Sequence, residues 1–290
     1  MTSYAVTGSS GALGRLAVRE LLARGVPAAD IVALARTPSK AADLTELGIQ
    51  VRTADYADQQ TLTAALTDVD RLLLVSSSQA GQRLAHHTNV IEAAQTTGVS
   101  RIVYTSMIKA DESTNPLAEE HRNTEAALRA ATVPFTSVRN GWYTENYTGQ
   151  LTSYLQRGEI IGATGSGAIS AATRQDYAVA AVVALLQDSD GNQTYELGGP
   201  AFTLTDLAQV ITEVTGIQVT YRDLPVEEYI ADLQRTGLAE DTARFVATLD
   251  DSIAQGDLHS DSHDLADLLG RPPVSLAHAV REAHAHSPRE

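Results

Sequence analysis

The fold is decided by residues 4–14, which read Tyr4-Ala5-Val6-Thr7-Gly8-Ser9-Ser10-Gly11-Ala12-Leu13-Gly14. A short apolar strand runs into a glycine-rich turn, and the turn runs into an amphipathic helix predicted over residues 12–23. The three glycines permit a tight turn, a close approach of backbone to ligand, and close packing of the helix on the strand. A helix that begins there presents free N–H groups to an anion. The G-x-x-G-x-x-G spacing therefore predicts a phosphate-binding loop, a variant of the dinucleotide-binding fingerprint.

Strands and helices alternate through the first half of the chain. Apolar patterning predicts strands over residues 4–7, 31–35, 49–52, 71–75, 101–105 and 135–139, and helices over 12–23, 40–47, 59–66, 82–97 and 117–131. Alternation of this kind requires crossover connections and predicts an α/β fold with a Rossmann-type doubly wound parallel sheet.

The pattern changes after residue 140, where glycine-rich and less regular sequence appears. It is followed by a predicted helix over 176–186, a strand over 194–197, a helix over 205–215, a strand over 218–221 and several acidic helices. We expect a nucleotide-binding domain over 1–140, completed by a returning segment near 170–197. The remainder, 141–290, is expected to form a smaller C-terminal portion on the substrate side.

Composition excludes several classes of protein. The 290 residues carry 21 basic and 36 acidic side chains, a net charge of −15, which disfavours binding to nucleic acid or to anionic lipid. The chain has no cysteine, so disulfides, thiol nucleophiles and cysteine-based metal sites are excluded. We find no signal peptide and no apolar run long enough for a bilayer, and we expect a cytoplasmic protein with no membrane partner. No exposed apolar stripe indicates an oligomeric state.

The end of the second strand selects the cofactor. Dinucleotide-binding folds for NAD place an acidic residue there, whereas this chain has Arg36, followed by Lys40. A guanidinium is suited to a 2′-phosphate, and the alternative is an ordinary surface arginine. The sequence therefore favours NADPH/NADP over NADH.

Two further strand ends face the same predicted crevice. Asp55 follows the third strand, where its carboxylate could accept a hydrogen bond from adenine or could equally cap the next helix. Ser76, Ser77 and Ser78 follow the fourth strand, where small side chains would let the cofactor approach the backbone; an ordinary serine-rich turn is the alternative. His259 and His263 are spaced like metal ligands, but we favour a solvated acidic helix face and expect no metal.

These residues and others resemble the NmrA-like atypical short-chain dehydrogenase/reductases, and within them the bacterial NADPH-dependent quinone oxidoreductase 2 proteins and the triphenylmethane reductases. The matching stretches are Gly8–Gly14, Ile31–Arg36, Asp55-Tyr56, Leu72–Ser78, Tyr104–Ser106, His121, Thr124-Glu125, Arg139–Tyr147, Ala172–Tyr177 and Leu268–Pro272. The most specific of them is Arg139-Asn140-Gly141-Trp142-Tyr143-Thr144-Glu145-Asn146.

The resemblance implies that Asn140–Glu145 and Arg174 line the nicotinamide half of the cofactor site. The full set of candidate cofactor-binding residues is Gly8, Ser9, Ser10, Gly11, Ala12, Leu13, Arg36, Lys40, Asp55, Ser76, Ser77, Ser78, Thr105, Asn140, Gly141, Trp142, Tyr143, Thr144, Glu145 and Arg174. Candidate walls of the substrate pocket are Met107, Ile108, His121 and Tyr143. For His121, a charged helix surface is the alternative position.

The usual catalytic pair of the wider superfamily, Tyr-x-x-x-Lys, is absent. The chain has two lysines, and the residues four positions before Lys40 and Lys109 are Arg36 and Thr105. The remaining chemistry is reduction that needs little acid assistance, because a quinone that accepts a hydride becomes a stabilised anion that water can protonate. We expect direct hydride transfer to a small quinone-like acceptor. The alternatives are a non-enzymatic NADP(H)-sensing regulatory protein and a reductase of triarylmethane dyes.

Overall fold

The computed structural model describes residues 1–79 and 81–286. In chain order its strands are β1 (Tyr4–Val6), β2 (Ile31–Ala35), β3 (Gln50–Thr53), β4 (Arg71–Leu74), β5 (Arg101–Met107), β6 (Phe135–Asn140), β7 (Trp142–Tyr143), β8 (Glu159–Gly162), β9 (Ile169–Ala172), β10 (Gln193–Leu197), β11 (Ala201–Phe202) and β12 (Thr220–Asp223). Its α-helices are α1 (Ala12–Ala23), α2 (Ala42–Glu46), α3 (Gln59–Ala65), α4 (Arg83–Thr97), α5 (Ala118–Ala130), α6 (Glu145–Thr148), α7 (Leu151–Arg157), α8 (Arg174–Leu186), α9 (Leu204–Thr215), α10 (Val226–Arg235), α11 (Glu240–Ala254), α12 (Asp264–Leu269) and α13 (Leu276–His286).

The predicted doubly wound sheet is confirmed. Seven parallel strands lie in the order β10-β6-β5-β4-β1-β2-β3. The strand order reverses between β1 and β4, which opens a crevice at their carboxyl ends, the position where such sheets bind ligands. Helices α3, α4 and α5 cover one face, and α1, α8 and α12 cover the other. Strand β10 and helix α8 both come from the segment after residue 170, whereas the division of the chain at residue 140 stays a prediction.

Each face of the sheet carries its own apolar core, because side chains alternate along the strands. On β1, Ala5 packs toward α3 and α4, whereas Val6 packs toward α1 and α8. Helix α8 contributes mostly alanine and valine and is buried along nearly its whole length. This burial explains the long apolar run of its sequence, which is too short to cross a bilayer. None of the described helices is both long and apolar enough to span a membrane.

The C-terminal portion contains short elements that sequence patterning did not predict. The glycine-rich stretch after residue 140 holds β7, α6, α7, β8 and β9. Strands β7, β9 and β11 form a three-stranded sheet, and β8 pairs with β12. These strands are two to four residues long and pair with distant segments. Of these strands, the sequence predicts β12, over 218–221; the others lie outside the alternation of strands and helices, and each has too few residues for a periodic signal of its own.

Two local predictions are wrong. The predicted helix over 40–47 is a 3-10 turn over Pro38–Ala41 followed by the short α2. His259 lies in the loop between α11 and α12, and His263 immediately precedes α12, so the predicted acidic helix face does not exist there. The chain turns at Gly256, whose φ of 86° ends the helical pattern.

A buried ion cluster joins the last two parallel strands to the helix above them. The guanidinium of Arg139 on β6 donates to Glu125 on α5 at 2.9 and 2.6 Å, to Asp111 at 2.6 Å and to Glu196 on β10 at 2.9 Å. Ser106 on β5 also donates to Glu125, at 2.7 Å. Burial lowers the pKa of Arg139, but the three carboxylates outweigh that effect and raise it. The arginine stays charged and ties three strands and one helix together at one point.

We expect Glu125→Ala to destabilise the fold strongly. Glu125 is 1% exposed, so its removal leaves buried guanidinium N–H groups without acceptors. Breaking a buried ion pair from one side costs about 3–5 kcal/mol. Urea unfolding should show that loss, whereas Glu119→Ala, an exposed change on the same helix, should alter stability by less than about 0.5 kcal/mol. Equal stabilities for the two variants would contradict the role given to this cluster.

Candidate active site

A cleft of about 440 Å³ lies at the carboxyl ends of β1, β2 and β4. It is lined by Gly8, Ser10, Gly11, Ala12, Leu13, Gly14, Arg36, Thr37, Lys40, Ala54, Asp55, Tyr56, Val75, Ser76, Ser77, Ser78, Gln79, His86, Tyr143 and Arg174. The cleft thus brings together the glycine loop, the ends of three strands and two side chains from beyond residue 140. Thirteen of these residues are among the candidate cofactor-binding residues, and Gly14 belongs to the glycine motif; the others were not singled out as cofactor-binding residues from the sequence.

The glycine loop leaves the beginning of α1 open. Gly8 adopts a φ of 60°, and Gly11 N–H donates to Gly8 at 2.8 Å to close the turn. A Cβ on Gly14 would lie 2.5 Å from the Gly8 carbonyl oxygen, so only glycine lets the helix pack this closely. No side chain caps α1, and its first turn holds no acidic residue. The free N–H groups at this end are therefore available to an anion.

Ser9 lies beneath the loop rather than in the cleft. Its side chain is fully buried and donates to the Val6 carbonyl at 2.7 Å, while its N–H donates to Leu34 at 3.0 Å. These two bonds join the turn to β1 and β2. The motif therefore contains residues that face the cleft, such as Ser10, and a residue that holds the loop in shape.

Two cations at the end of β2 face the cleft without partners. Arg36 and Lys40 are exposed, and within the described residues no carboxylate pairs with either side chain. By contrast, Arg15 and Arg19 on α1 both pair with Asp43, at 3.1 and 3.0 Å. Positive charge is therefore concentrated at the position where a 2′-phosphate would lie.

Asp55 and Tyr56 form the wall after β3. Asp55 accepts from the N–H of Ala57 at 3.0 Å, but the side chain that caps α3 is Asp58, so the capping alternative for Asp55 is wrong. The hydroxyl of Tyr56 donates to the Val75 carbonyl at 2.7 Å and lies at hydrogen-bond distance from the Thr7 hydroxyl, and these contacts fix its ring against β1 and β4. Burial raises the pKa of Tyr56. Sequence reasoning did not assign this tyrosine a role in the site, although it lies next to Asp55.

The loop after β4, Ser76–Ser78, is called here the serine loop, and buried side chains on the side away from the cleft support it. Ser76 N–H donates to the Thr105 hydroxyl at 2.8 Å, and Ser77 N–H donates to His87 Nε2 at 2.9 Å. His87 must then carry its proton on Nδ1, which lies 2.9 Å from the Thr124 hydroxyl. Burial lowers the pKa of His87 to about 3, so it stays neutral and keeps this tautomer. Thr105 supports the loop and does not line the cleft.

Tyr143 and Arg174 close the cleft on the side of the C-terminal portion. The Arg174 guanidinium lies 4.6 Å from the centre of the Tyr143 ring, a cation–π contact. Glu145 accepts from the Arg174 N–H at 2.9 Å, and its carboxylate lies 3.7 Å from the guanidinium. Glu145 therefore orients Arg174 and does not line the cleft itself. Trp142 and Thr144 flank Tyr143 and are outside the lining as well.

Asn140 has a buried amide without a partner. Its side-chain oxygen and nitrogen are sealed from solvent and form no hydrogen bond with the described residues. The chain continues through Gly141, where a Cβ would lie 2.2 Å from the Ser170 carbonyl oxygen, so a glycine is required. An unsatisfied buried amide is costly, which makes Asn140 a candidate for hydrogen bonding to a ligand.

The other predicted pocket walls do not line the cleft. Met107 and Ile108 are buried among apolar side chains of the C-terminal portion. His121 is 6% exposed, and its Nδ1 lies 2.7 Å from the Tyr104 hydroxyl. Burial lowers the pKa of His121 well below its usual value, so the alternative of a charged surface histidine is wrong. Met107 and Ile108 are therefore covered by the C-terminal portion, and His121 is covered by its packing against Tyr104.

A second cavity, of about 310 Å³, lies beside the ion cluster of Arg139 and is lined mainly by charged and hydroxyl side chains, including Lys109 and His259. Among the residues that the structure describes, no group of three or more histidine, aspartate or glutamate side chains could hold a metal ion. The 440 Å³ cleft is therefore the better candidate for chemistry. It combines an open helix N-terminus with two cations that have no carboxylate partner among the described residues, and these features fit a phosphorylated dinucleotide.

Comparisons with known proteins agree with this geometry. Residues 8–189 match the model of a family described as NAD(P)H-binding. The chain is 44% identical over 277 residues to quinone oxidoreductase 2 of Escherichia coli, covering 95% of this chain and 96% of that protein.

Two solved structures share the fold closely. The NADPH complex of the Escherichia coli NADPH-dependent quinone oxidoreductase superposes with a TM-score of 0.93 at 43% identity, over 97% of this chain and 99% of the other. The NADP(H) complex of the Citrobacter triphenylmethane reductase gives a TM-score of 0.92 at 35% identity, over 97% and 100%. The resemblance predicted from the motifs is therefore confirmed, and this chain belongs to the NAD(P)H-binding family that contains these reductases.

Proposed function

We propose that this protein is an NADPH-dependent reductase that transfers a hydride directly to quinone-like acceptors. The proposal rests on the cleft itself. The open N-terminus of α1 lines this cleft together with Arg36, Lys40 and Tyr143, and neither cation has a carboxylate partner among the described residues. The 44% identity to a quinone oxidoreductase over nearly the full chain supports the choice of acceptor. When bound, NADPH supplies the hydride.

Different residues along the cleft bind different parts of the cofactor. The N–H groups at the start of α1 hold the pyrophosphate, and Arg36 with Lys40 holds the 2′-phosphate. The serine loop, fixed from below by Thr105 and His87, gives the ribose a wall without large side chains. Tyr143 covers the nicotinamide end, and Asn140 lies behind it, next to its hydroxyl.

The usual tyrosine–lysine pair has no counterpart among the described residues of the cleft. Lys40 lies at the phosphate end, and the ammonium of Lys109 donates to the Gly256 carbonyl at 3.0 Å. Neither lysine therefore lowers the pKa of a tyrosine in the cleft. His121 is neutral, and its Nδ1 is hydrogen-bonded to the Tyr104 hydroxyl. Orientation and exclusion of water remain as the contributions of the protein, which suffices for an acceptor whose reduced form is a stabilised anion.

The proposal is tested by following NADPH absorbance with a panel of benzoquinones and naphthoquinones. We expect turnover with several of them, and slower turnover with NADH at equal concentration. A protein that consumes no NADPH with any acceptor, yet binds NADP⁺ and NADPH with different affinities, would instead be a redox sensor. If turnover occurs only with cationic triarylmethane dyes, the protein is still a reductase, but its acceptors are dyes and not quinones.

We expect Arg36→Ala to weaken the binding of NADPH much more than the binding of NADH. Loss of a charge-assisted hydrogen bond to a phosphate costs about 1.5–3 kcal/mol, which corresponds to a rise in KM of about 10- to 100-fold. KM for NADH should change less than about twofold, because NADH lacks the 2′-phosphate. The matched control is Arg19→Ala, which removes the same charge from α1 outside the cleft. Equal losses for both dinucleotides would contradict the assignment.

We expect Tyr143→Phe to keep kcat within about threefold. Burial raises the pKa of Tyr143, and neighbouring Asn140 and Arg174 offset this only in part, so the hydroxyl is a poor acid. The ring, however, forms the cation–π contact with Arg174, and Tyr143→Leu removes that contact. Tyr143→Leu should raise KM for NADPH several-fold where Tyr143→Phe does not. A large loss of kcat in the phenylalanine variant would show that the hydroxyl takes part in proton transfer.

A further inference from the structure

The first turn of α8, which carries Arg174 to the cleft, is tied to a distant segment of the chain. Asp176 belongs to the same turn and is fully buried. One of its carboxylate oxygens accepts from the Arg271 guanidinium at 2.8 Å, and the other accepts from the Val274 N–H at 2.8 Å. Both donors belong to residues 271–274, which lie between α12 and α13 and are called here the strap. The buried carboxylate therefore depends on the strap for its partners.

A comparison with α9 shows that the carboxylate of Asp176 is used for a long-range contact. Both helices begin with the pattern Thr-x-x-Asp, from Thr173 to Asp176 in α8 and from Thr203 to Asp206 in α9. In α9 the aspartate accepts from the Thr203 N–H at 2.8 Å and completes a capping box. In α8 the threonine accepts from the Asp176 N–H at 3.1 Å, but both carboxylate oxygens bind the strap. The same local motif thus joins two distant parts of the chain here.

The strap is stiff and is anchored at both ends. It follows Gly270, whose φ of 66° ends α12, and it contains Pro272 and Pro273, which fix two of its φ angles. Before the strap, Leu265 of α12 is buried in the apolar core that α1 and α8 share. After the strap, Val280 of α13 is buried in the core of the C-terminal portion. The strap therefore connects two cores past the first turn of α8.

Arg174 itself is held by α6. Its N–H donates to Glu145 at 2.9 Å, and its guanidinium donates to the Asn146 side chain at 3.1 Å and lies 4.6 Å from the centre of the Tyr143 ring. Asp176 comes two residues later, about 200° around the helix axis, so the strap holds the turn from the opposite side. Because these contacts belong to one helical turn, the position of the guanidinium in the cleft depends on where that turn lies.

We propose that Arg271, acting through Asp176, is a positioning residue for the wall of the cleft that Arg174 and Tyr143 form. Arg271 does not line the cleft, so its effect on the cofactor must pass through the first turn of α8. The inference rests on the proposed binding of NADPH along this cleft. It also gives a role to two of the stretches that match the family, those around Asp176 and Arg271, whose contact has no local signal in the sequence.

The test measures NADPH binding through the fluorescence of Trp142, which NADPH quenches because it absorbs the light that tryptophan emits. Trp142 is the single tryptophan of the chain and precedes Tyr143, so the signal arises beside this wall. We expect Arg271→Ala to raise Kd for NADPH about 3- to 30-fold while one site per chain is retained. A merely destabilised fold would lower the number of sites and leave Kd unchanged. Arg281→Ala, an exposed change on α13, removes the same charge and should bind NADPH as the parent does.

A double-mutant cycle with Arg174 shows whether the effect passes through that side chain. In the Arg174→Ala background, Arg271→Ala should change Kd by less than about twofold, because the group that it positions is gone. The proposal is overturned if Arg271→Ala raises Kd equally in the two backgrounds, if it leaves Kd unchanged, or if Arg281→Ala weakens binding as much.

Two further variants remove the risk that the fold itself is lost. Arg271→Ala alone leaves the buried carboxylate of Asp176 without its cation. Asp176→Asn combined with Arg271→Ala removes both charges, while the asparagine oxygen still accepts from the Val274 N–H, and Kd should rise as in Arg271→Ala. Arg271→Lys keeps a charged donor and should bind NADPH within about threefold of the parent. A double variant that binds like the parent, or a lysine variant as weak as Arg271→Ala, would contradict the positioning role.

The outcomes distinguish this inference from the proposed function. If the parent binds no NADPH, both are wrong. If the parent binds NADPH but reduces no quinone, the proposed function is wrong, and the cycle still decides the inference because it measures binding alone. If the parent binds NADPH and reduces quinones but the cycle is additive, only the positioning role of Arg271 is wrong.

Discussion

The buried guanidinium of Arg139 determines the geometry on which the candidate site depends. It stands at the end of β6 and binds carboxylates from α5, from β10 and from the loop after β5. The next residues along the chain are Asn140 and Gly141, and Tyr143 follows them. Because Arg139 cannot move without leaving a buried charge unpaired, the path of the chain out of the sheet is defined at that point. This is why a side chain from beyond the sheet reaches the cofactor cleft.

Arginines in this protein fall into two groups according to their partners. Those with structural roles, such as Arg139 and Arg71, donate to carboxylates and carbonyl oxygens, and those on α1 pair with Asp43. Arg36 lies in the cleft without such a partner among the residues that the structure describes. In a chain of net charge −15, an unpaired cation at a strand end is available for an anionic ligand.

The sequence was most informative where chemistry and local structure coincide. Gly8, Gly11 and Gly14 could be assigned because a tight turn before a helix leaves few alternatives to glycine, and Arg36 because it stands where a strand ends. It was least informative where contacts come from distant segments. Met107 and Ile108 lie at the carboxyl end of β5, where apolar side chains of the C-terminal portion cover them, and His121 lies within α5 against Tyr104. Neither that cover nor the support of the serine loop by His87 has a local signal.

The sequence by itself determined the doubly wound sheet, the glycine loop and the family, because each depends on residues close together in the chain and on their periodicity. Only the tertiary structure decided which motif residues face the cleft and which hold it in shape, such as Ser9, Thr105 and Glu145. It alone showed the buried amide of Asn140 and the support of the Ser76–Ser78 turn by His87. The physical reason is that burial and the lack of a partner are properties of the packed chain, since they depend on groups tens of residues apart.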